Sequence, residues 1–134
     1  MNNQKKKTNW YVITGGPSTG KTTVINLLSK RGYKTTIEHA RHYIDTMKEE
    51  GNTVEEIRSN KRKFQLGILD MQINQEAELS PDEIVFLDRA IPDALAYYQF
   101  LKLKVDDILV KAMEQVSYKN IFITGIVFDV TSGL

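Results

Sequence analysis

Gly15-Gly16-Pro17-Ser18-Thr19-Gly20-Lys21-Thr22 fits the pattern G-x-x-x-x-G-K-[ST] without a mismatch. Glycines at this spacing let a loop curl with its N–H groups pointing inward, where bulkier side chains would keep a polyphosphate away from the backbone. A helix starting near Gly20 would add its free N–H groups and positive dipole end at the same spot. Lys21 is then placed to reach β- and γ-phosphate oxygens, the Thr22 hydroxyl to ligate Mg²⁺, and Thr23 to donate to an α-phosphate. The alternative is a glycine-rich turn followed by an ordinary surface lysine. If the loop reading holds, Lys21→Ala abolishes nucleotide binding and leaves the stability of the ligand-free chain nearly unchanged.

A phosphate loop needs partners, and three residues are candidates. Asp88 follows four apolar residues, Ile84 to Leu87, and has the form of a Walker B acid that holds Mg²⁺ directly or through water. Its alternative is a strand-end acid capping a turn. Glu38 falls at the end of the second predicted strand, within reach of an attacking hydroxyl whose proton it could accept; otherwise it pairs with Arg41 three residues on. Arg89 could clamp two phosphate oxygens at once, or form a surface ion pair. Asp93, just inside a helix opened by Pro92, is expected there for dipole reasons alone. His39 and His42 lack an evident third metal ligand and read as two solvated histidines. Arg58, Lys61, Arg62 and Lys63 read as the wet side of a helix, some of which could meet an acidic substrate.

These residues need elements to hold them. Trp10 to Thr14 is aromatic and β-branched and stops at Gly15-Gly16-Pro17, which predicts a buried strand ending in a loop. The helix after Gly20 has apolar Val24, Leu27 and Leu28 at i, i+3, i+4 and closes at Gly32. Tyr33 to Ile37 reads as a strand and Glu38 to Glu50 as a helix closed by Gly51-Asn52. Thr53 and Glu56 form a capping box opening one helix that runs toward Leu79. Ile84 to Leu87 is a continuous apolar run, as in a fully buried parallel strand. Pro92 opens a helix whose inward face would be Tyr97, Phe100 and Leu101; Val105 to Val116 is amphipathic and Ile121 to Thr124 is a fourth strand. The alternation of strands and helices predicts an α/β fold with a mostly parallel sheet flanked by helices, and ligands gather outside the carboxyl ends of such strands.

The whole fits one domain. The chain has 134 residues, 18 Lys and Arg against 17 Asp and Glu, 41% hydrophobic residues and no cysteine. That length supports one core. A formal charge of +1 provides no field to favour nucleic acid or an anionic membrane. The absence of cysteine excludes disulfides and thiolate zinc, and fits the reducing cytoplasm. No apolar run approaches the roughly 20 residues needed to span a bilayer. Residues 1 to 8 read as a disordered tail and 9 to 134 as the domain; no pattern names an oligomeric state.

Taken together, ITGGPSTGKTT, Glu38-His39-Ala40-Arg41 and FLDRAIPDALAYY from Phe86 to Tyr98 resemble AAA-type P-loop domains related to nicotinamide riboside kinase, within the nucleoside and nucleotide kinase fold. The resemblance covers residues 9 to 124. It implies a three-layer P-loop NTPase fold with about five parallel strands, ATP with Mg²⁺, and a small phosphate acceptor held after the second and third strands. It carries Lys21, Thr22, Glu38, Asp88 and Arg89 into phosphate, metal and acceptor roles. The departure is at the C-terminus: relatives continue into an arginine-bearing lid, a fifth strand and a last helix, whereas the final arginine here is Arg89 and GIVFDVTSGL follows Thr124. The expectation is of a member missing its C-terminal part. Two functions follow, a kinase acting on a nucleoside- or nucleotide-like acceptor, and a regulatory or remnant module that binds nucleotide without turnover. A Ras-like GTPase is disfavoured by the lack of N-K-x-D and of a D-x-x-G after a strand, and a mechanical motor fails on length.

Overall fold

In a computed structural model of the chain, residues 5–16 and 19–125 are described. The elements in order are β1 (Lys6–Lys7), β2 (Trp10–Thr14), α1 (Lys21–Lys30), β3 (Lys34–Thr35), α2 (His39–Glu49), α3 (Val54–Ser59), α4 (Lys61–Glu78), β4 (Val85–Asp88), α5 (Ile91–Phe100), α6 (Asp107–Gln115), β5 (Val116–Ser117) and β6 (Asn120–Ile123). Four strands form a parallel sheet in the order β3-β4-β2-β6, and β1 pairs in parallel with β5. The tail reading is thereby corrected over its second half. Lys6–Lys7 pair with Val116–Ser117, and Thr8 is buried with its hydroxyl donating to Ser117 O at 2.8 Å. Residues 1–4 lie outside the described residues, as do 126–134, where the departure from the family's C-terminus was read.

β2 and β4 are the inner strands, and their register sets the site. Ile13 lies opposite Asp88 on one side and Phe122 on the other, so the end of β2 and the end of β4 open at the same level. Trp10, Val12, Val85 and Leu87 pack on one face with Leu79 and Ala90. On the other face Tyr11 stacks with Phe86 at 5.2 Å and with Phe122 at 6.1 Å, while Tyr33 meets Phe86 edge-on. β4 is therefore not buried throughout: Phe86 is half-buried and Ile84, just outside the strand, is exposed. An apolar run can face aromatic neighbours at a sheet surface as well as a core.

Two helical readings are also corrected. The long helix from Thr53 is two, because Asn60 adopts an extended conformation (φ −101°, ψ 93°) and its side chain caps α4 by accepting from Lys63 N–H at 3.0 Å. The capping box of Thr53 and Glu56 is present at α3. In α5 the inward residues are Ile91, Ala94 and Tyr98, which pack with Leu69 of α4 and Leu109 and Ala112 of α6. Tyr97 is 41% and Phe100 81% exposed. The helix phase was shifted by one residue in a segment apolar on nearly every face, where periodicity discriminates poorly. α2 lies close on α4 because residue 67 is glycine: a Cβ there would run into the Tyr43 ring, 2.6 Å from Cζ.

Candidate functional site

The loop after β2 turns at Gly15, whose φ of 154° and surroundings require glycine: a Cβ would collide with Thr124 Oγ1 and lie 2.8 Å from Thr19 Oγ1. Thr19 Oγ1 reaches Gly16 O at 2.7 Å and Thr124 Oγ1 at 2.8 Å, and Thr124 N–H donates to Thr14 O at 2.8 Å. Thr124, which the sequence reading took only as the end of a strand, thus ties β6 to the loop. Gly20 caps α1 in the left-handed region (φ 87°) with no side-chain cap and no acid in the first turn. The first amides of α1 and its dipole are left uncompensated at that end.

Gly16, Thr19, Gly20, Lys21, Thr22 and Thr23 line one concavity of about 400 Å³ together with Glu38 and Arg89. Pro17 and Ser18 lie outside the described residues. Residues far apart in sequence thus meet here. Lys21 is 6% exposed, bonds the Asp88 carboxylate and stands 3.5 Å from Glu38 Oε2. Asp88 N–H donates to the buried Thr36 hydroxyl at 2.9 Å, which fixes the strand end; nothing in the pattern around Thr36 signals that role. Lys21 is not a surface lysine. A buried cation shared by two carboxylates means that Lys21→Ala would strand Asp88 unpaired, so a loss of stability is now expected in place of the unchanged stability read from the sequence.

Arg89 holds a left-handed backbone (φ 63°), which costs a non-glycine residue about 1–2 kcal/mol. Its N–H donates to Ile13 O at 2.9 Å, its Nη2 to Gly15 O at 2.7 Å and its Nη1 to Tyr97 OH at 3.0 Å. The strained turn therefore aims the guanidinium across the loop. Asp93 does more than complement a dipole. Oδ1 accepts from Thr14 Oγ1 at 2.5 Å and Oδ2 from Ala90 N–H at 2.8 Å, fastening α5 to β2.

A second cleft of about 400 Å³ adjoins the first and shares Glu38 and Arg89 with it. α2, α4 and α5 wall it, with Phe64, Ile68, Tyr97 and Phe100 as apolar surface and Gln65, Gln72 and His39 as polar surface. Arg58 and Lys61 also line it, while Arg41 lines neither concavity and is exposed. His39 is buried, which corrects its reading as solvated; His42 is exposed. Burial lowers the pKa of His39, a side-chain hydrogen bond with Gln75 and the Asp88 charge oppose that shift, and the His42 charge adds to it. Among the described residues no group of three or more His, Asp or Glu is placed to hold a metal ion, and no helix is long and apolar enough to cross a membrane.

A family model described as an AAA domain matches residues 10–133. No curated protein and no solved structure matches the chain. The chain belongs to this family of nucleotide-binding P-loop NTPase domains, which generally bind ATP with Mg²⁺.

Proposed function

We propose that this AAA-domain chain transfers the γ-phosphoryl group of ATP to a small nucleoside- or nucleotide-like acceptor. The observation that carries the reading is the sharing of Glu38 and Arg89 by two adjoining clefts, one lined by backbone amides and Lys21, the other by aromatic and amide side chains. Hydrolysis alone needs only the first.

The loop amides and the α1 N-terminus hold the polyphosphate, and Lys21 leaves its carboxylates to pair with phosphate oxygens. Glu38 takes the proton from the acceptor hydroxyl as that oxygen bonds to the γ-phosphorus and the bond to the β-phosphate oxygen breaks, releasing ADP. Arg89 faces both clefts and neutralises charge on the moving group. Thr22 and Asp88 supply one hydroxyl and one carboxylate, a donor set that fits Mg²⁺, which takes its remaining ligands from phosphate and water. When bound, the ion supplies charge neutralisation between the phosphates.

The test uses γ-labelled ATP, Mg²⁺ and a panel of ribonucleosides and their monophosphates. Label is expected on at least one acceptor and is expected to vanish in Lys21→Ala. Mg²⁺-dependent ATP binding with no labelled product would overturn the kinase reading in favour of a binding module without turnover.

A further inference from the structure

The second cleft holds something unusual in its floor. Gln72 and His39 are 4% and 7% exposed and both line the cleft; His39 engages the Gln75 side chain, whereas Gln72 Oε1 has no hydrogen-bond partner among the described residues. More than 90% of buried polar groups in folded proteins find a partner, and an orphan costs about 1–3 kcal/mol. Here the orphan on α4 sits in the lining of an open cavity. An unpaired buried acceptor needs a reason to persist, and one facing a cavity can be completed by a ligand.

The chemistry of the atoms restricts that ligand. A carboxamide oxygen only accepts, so Gln72 requires an N–H or O–H donor. A volume of about 400 Å³ with Phe64 and Tyr97 in the walls suits a flat ring carrying a sugar-sized appendage. Arg58 and Lys61 repel a cationic ring. The carboxylates of this lining are Glu38, turned to Lys21, and Asp93, engaged by Thr14 and Ala90.

Building on the kinase reading above, we propose that Gln72 is the specificity-determining residue for the acceptor, its side-chain oxygen reading a base-edge N–H donor, ring or exocyclic, on an uncharged nucleobase. The hydroxyl to be phosphorylated then points to Glu38 and Arg89, where the two clefts join. Gln72 does not touch the reacting atoms; it acts by selecting what is bound.

The experiment is a calorimetric titration of the full chain with the four ribonucleosides and with counterparts whose base-edge N–H groups are methylated, such as 3-methyluridine and N6,N6-dimethyladenosine. At least one parent nucleoside is expected to bind, and its methylated counterpart at least about tenfold more weakly. Gln72→Met, close in volume, is expected to erase that discrimination while melting at the same or a higher temperature, because it removes an unpaired buried oxygen. ATP with Mg²⁺ is titrated into the same samples and is expected to bind both proteins alike. ATP binding without any nucleoside binding, binding indifferent to methylation, or a Gln72→Met chain that melts several degrees lower would each overturn this proposal. Failure of ATP to bind, with the nucleosides still discriminated, would instead overturn the kinase reading alone.

Discussion

The proposed phosphate cradle and the proposed acceptor cleft meet at Glu38 and Arg89, yet they are made of different materials. Apart from Glu38 and Arg89, the cradle comes from one stretch of chain, Gly16 and residues 19–23, which offers backbone amides, one lysine and three threonine hydroxyls. The cleft is assembled from side chains on α2, α4 and α5, and depends on how closely those helices approach. A site built of contiguous backbone tolerates shifts elsewhere in the chain, whereas one built between helices inherits every change in their packing. Damage should therefore separate the two.

The largest separation is expected at Lys21. Lys21→Ala should weaken ATP binding by about 10²-fold or more, abolish transfer, and lower stability in urea by about 3 kcal/mol as Asp88 loses its partner. Nucleoside binding in the second cleft should survive it. Glu38→Gln comes next. Transfer should fall by about 10²–10⁴-fold while ATP affinity, followed by calorimetry, stays within about twofold. A comparable loss of ATP affinity would place Glu38 with the cradle instead.

Stability against pH probes α4 without touching the cradle. Glu76, one turn beyond Gln72, is buried with both carboxylate oxygens within 3.0 Å of Tyr118 OH, and burial pushes its pKa up to about 7 from 4.5. Burial likewise raises the Tyr118 pKa, and the adjacent Glu76 charge adds to the rise. The folded chain holds the Glu76 proton more tightly than the unfolded one. Its contribution is complete below about pH 4.5 and disappears as the pH rises through about 7, a loss of about 3 kcal/mol. Glu76→Gln should flatten the slope of urea-derived stability over that window; an unchanged slope would remove Glu76 as its source. The smallest effect is expected at Gly67. Gly67→Ala should cost about 1–3 kcal/mol by overpacking against Tyr43 and weaken nucleoside binding, with ATP affinity within about twofold of the parent.

Legibility in the sequence follows the same division. The loop from Gly15 to Thr23 could be read because its chemistry is local: glycines where side chains would intrude, then a lysine and a hydroxyl at fixed offsets. Asp88 and Arg89 could be found as residues ending an apolar run, but their partners could not. Nothing near Thr36 announces that its hydroxyl holds Asp88 N–H, nor does Thr124 declare its bond to Thr19. Asp93 was legible as a helix-start acid and illegible as the clasp on Thr14. The cleft escaped because α5 is apolar on nearly every side, so the inward residues Ile91, Ala94 and Tyr98 could not be told from Tyr97 and Phe100.

Sequence alone determined that a G-x-x-x-x-G-K-[ST] motif lies between a strand and a helix, with an acid ending a second strand and an arginine directly after it, since each depends on residues within a few positions of one another. Tertiary structure decided that Lys21 is buried between Asp88 and Glu38, that His39 and Gln72 share one cavity, and that Glu38 and Arg89 stand where two clefts join. Those facts depend on strand register and helix approach. Both come from packing many separated side chains at once, a quantity no local spacing encodes.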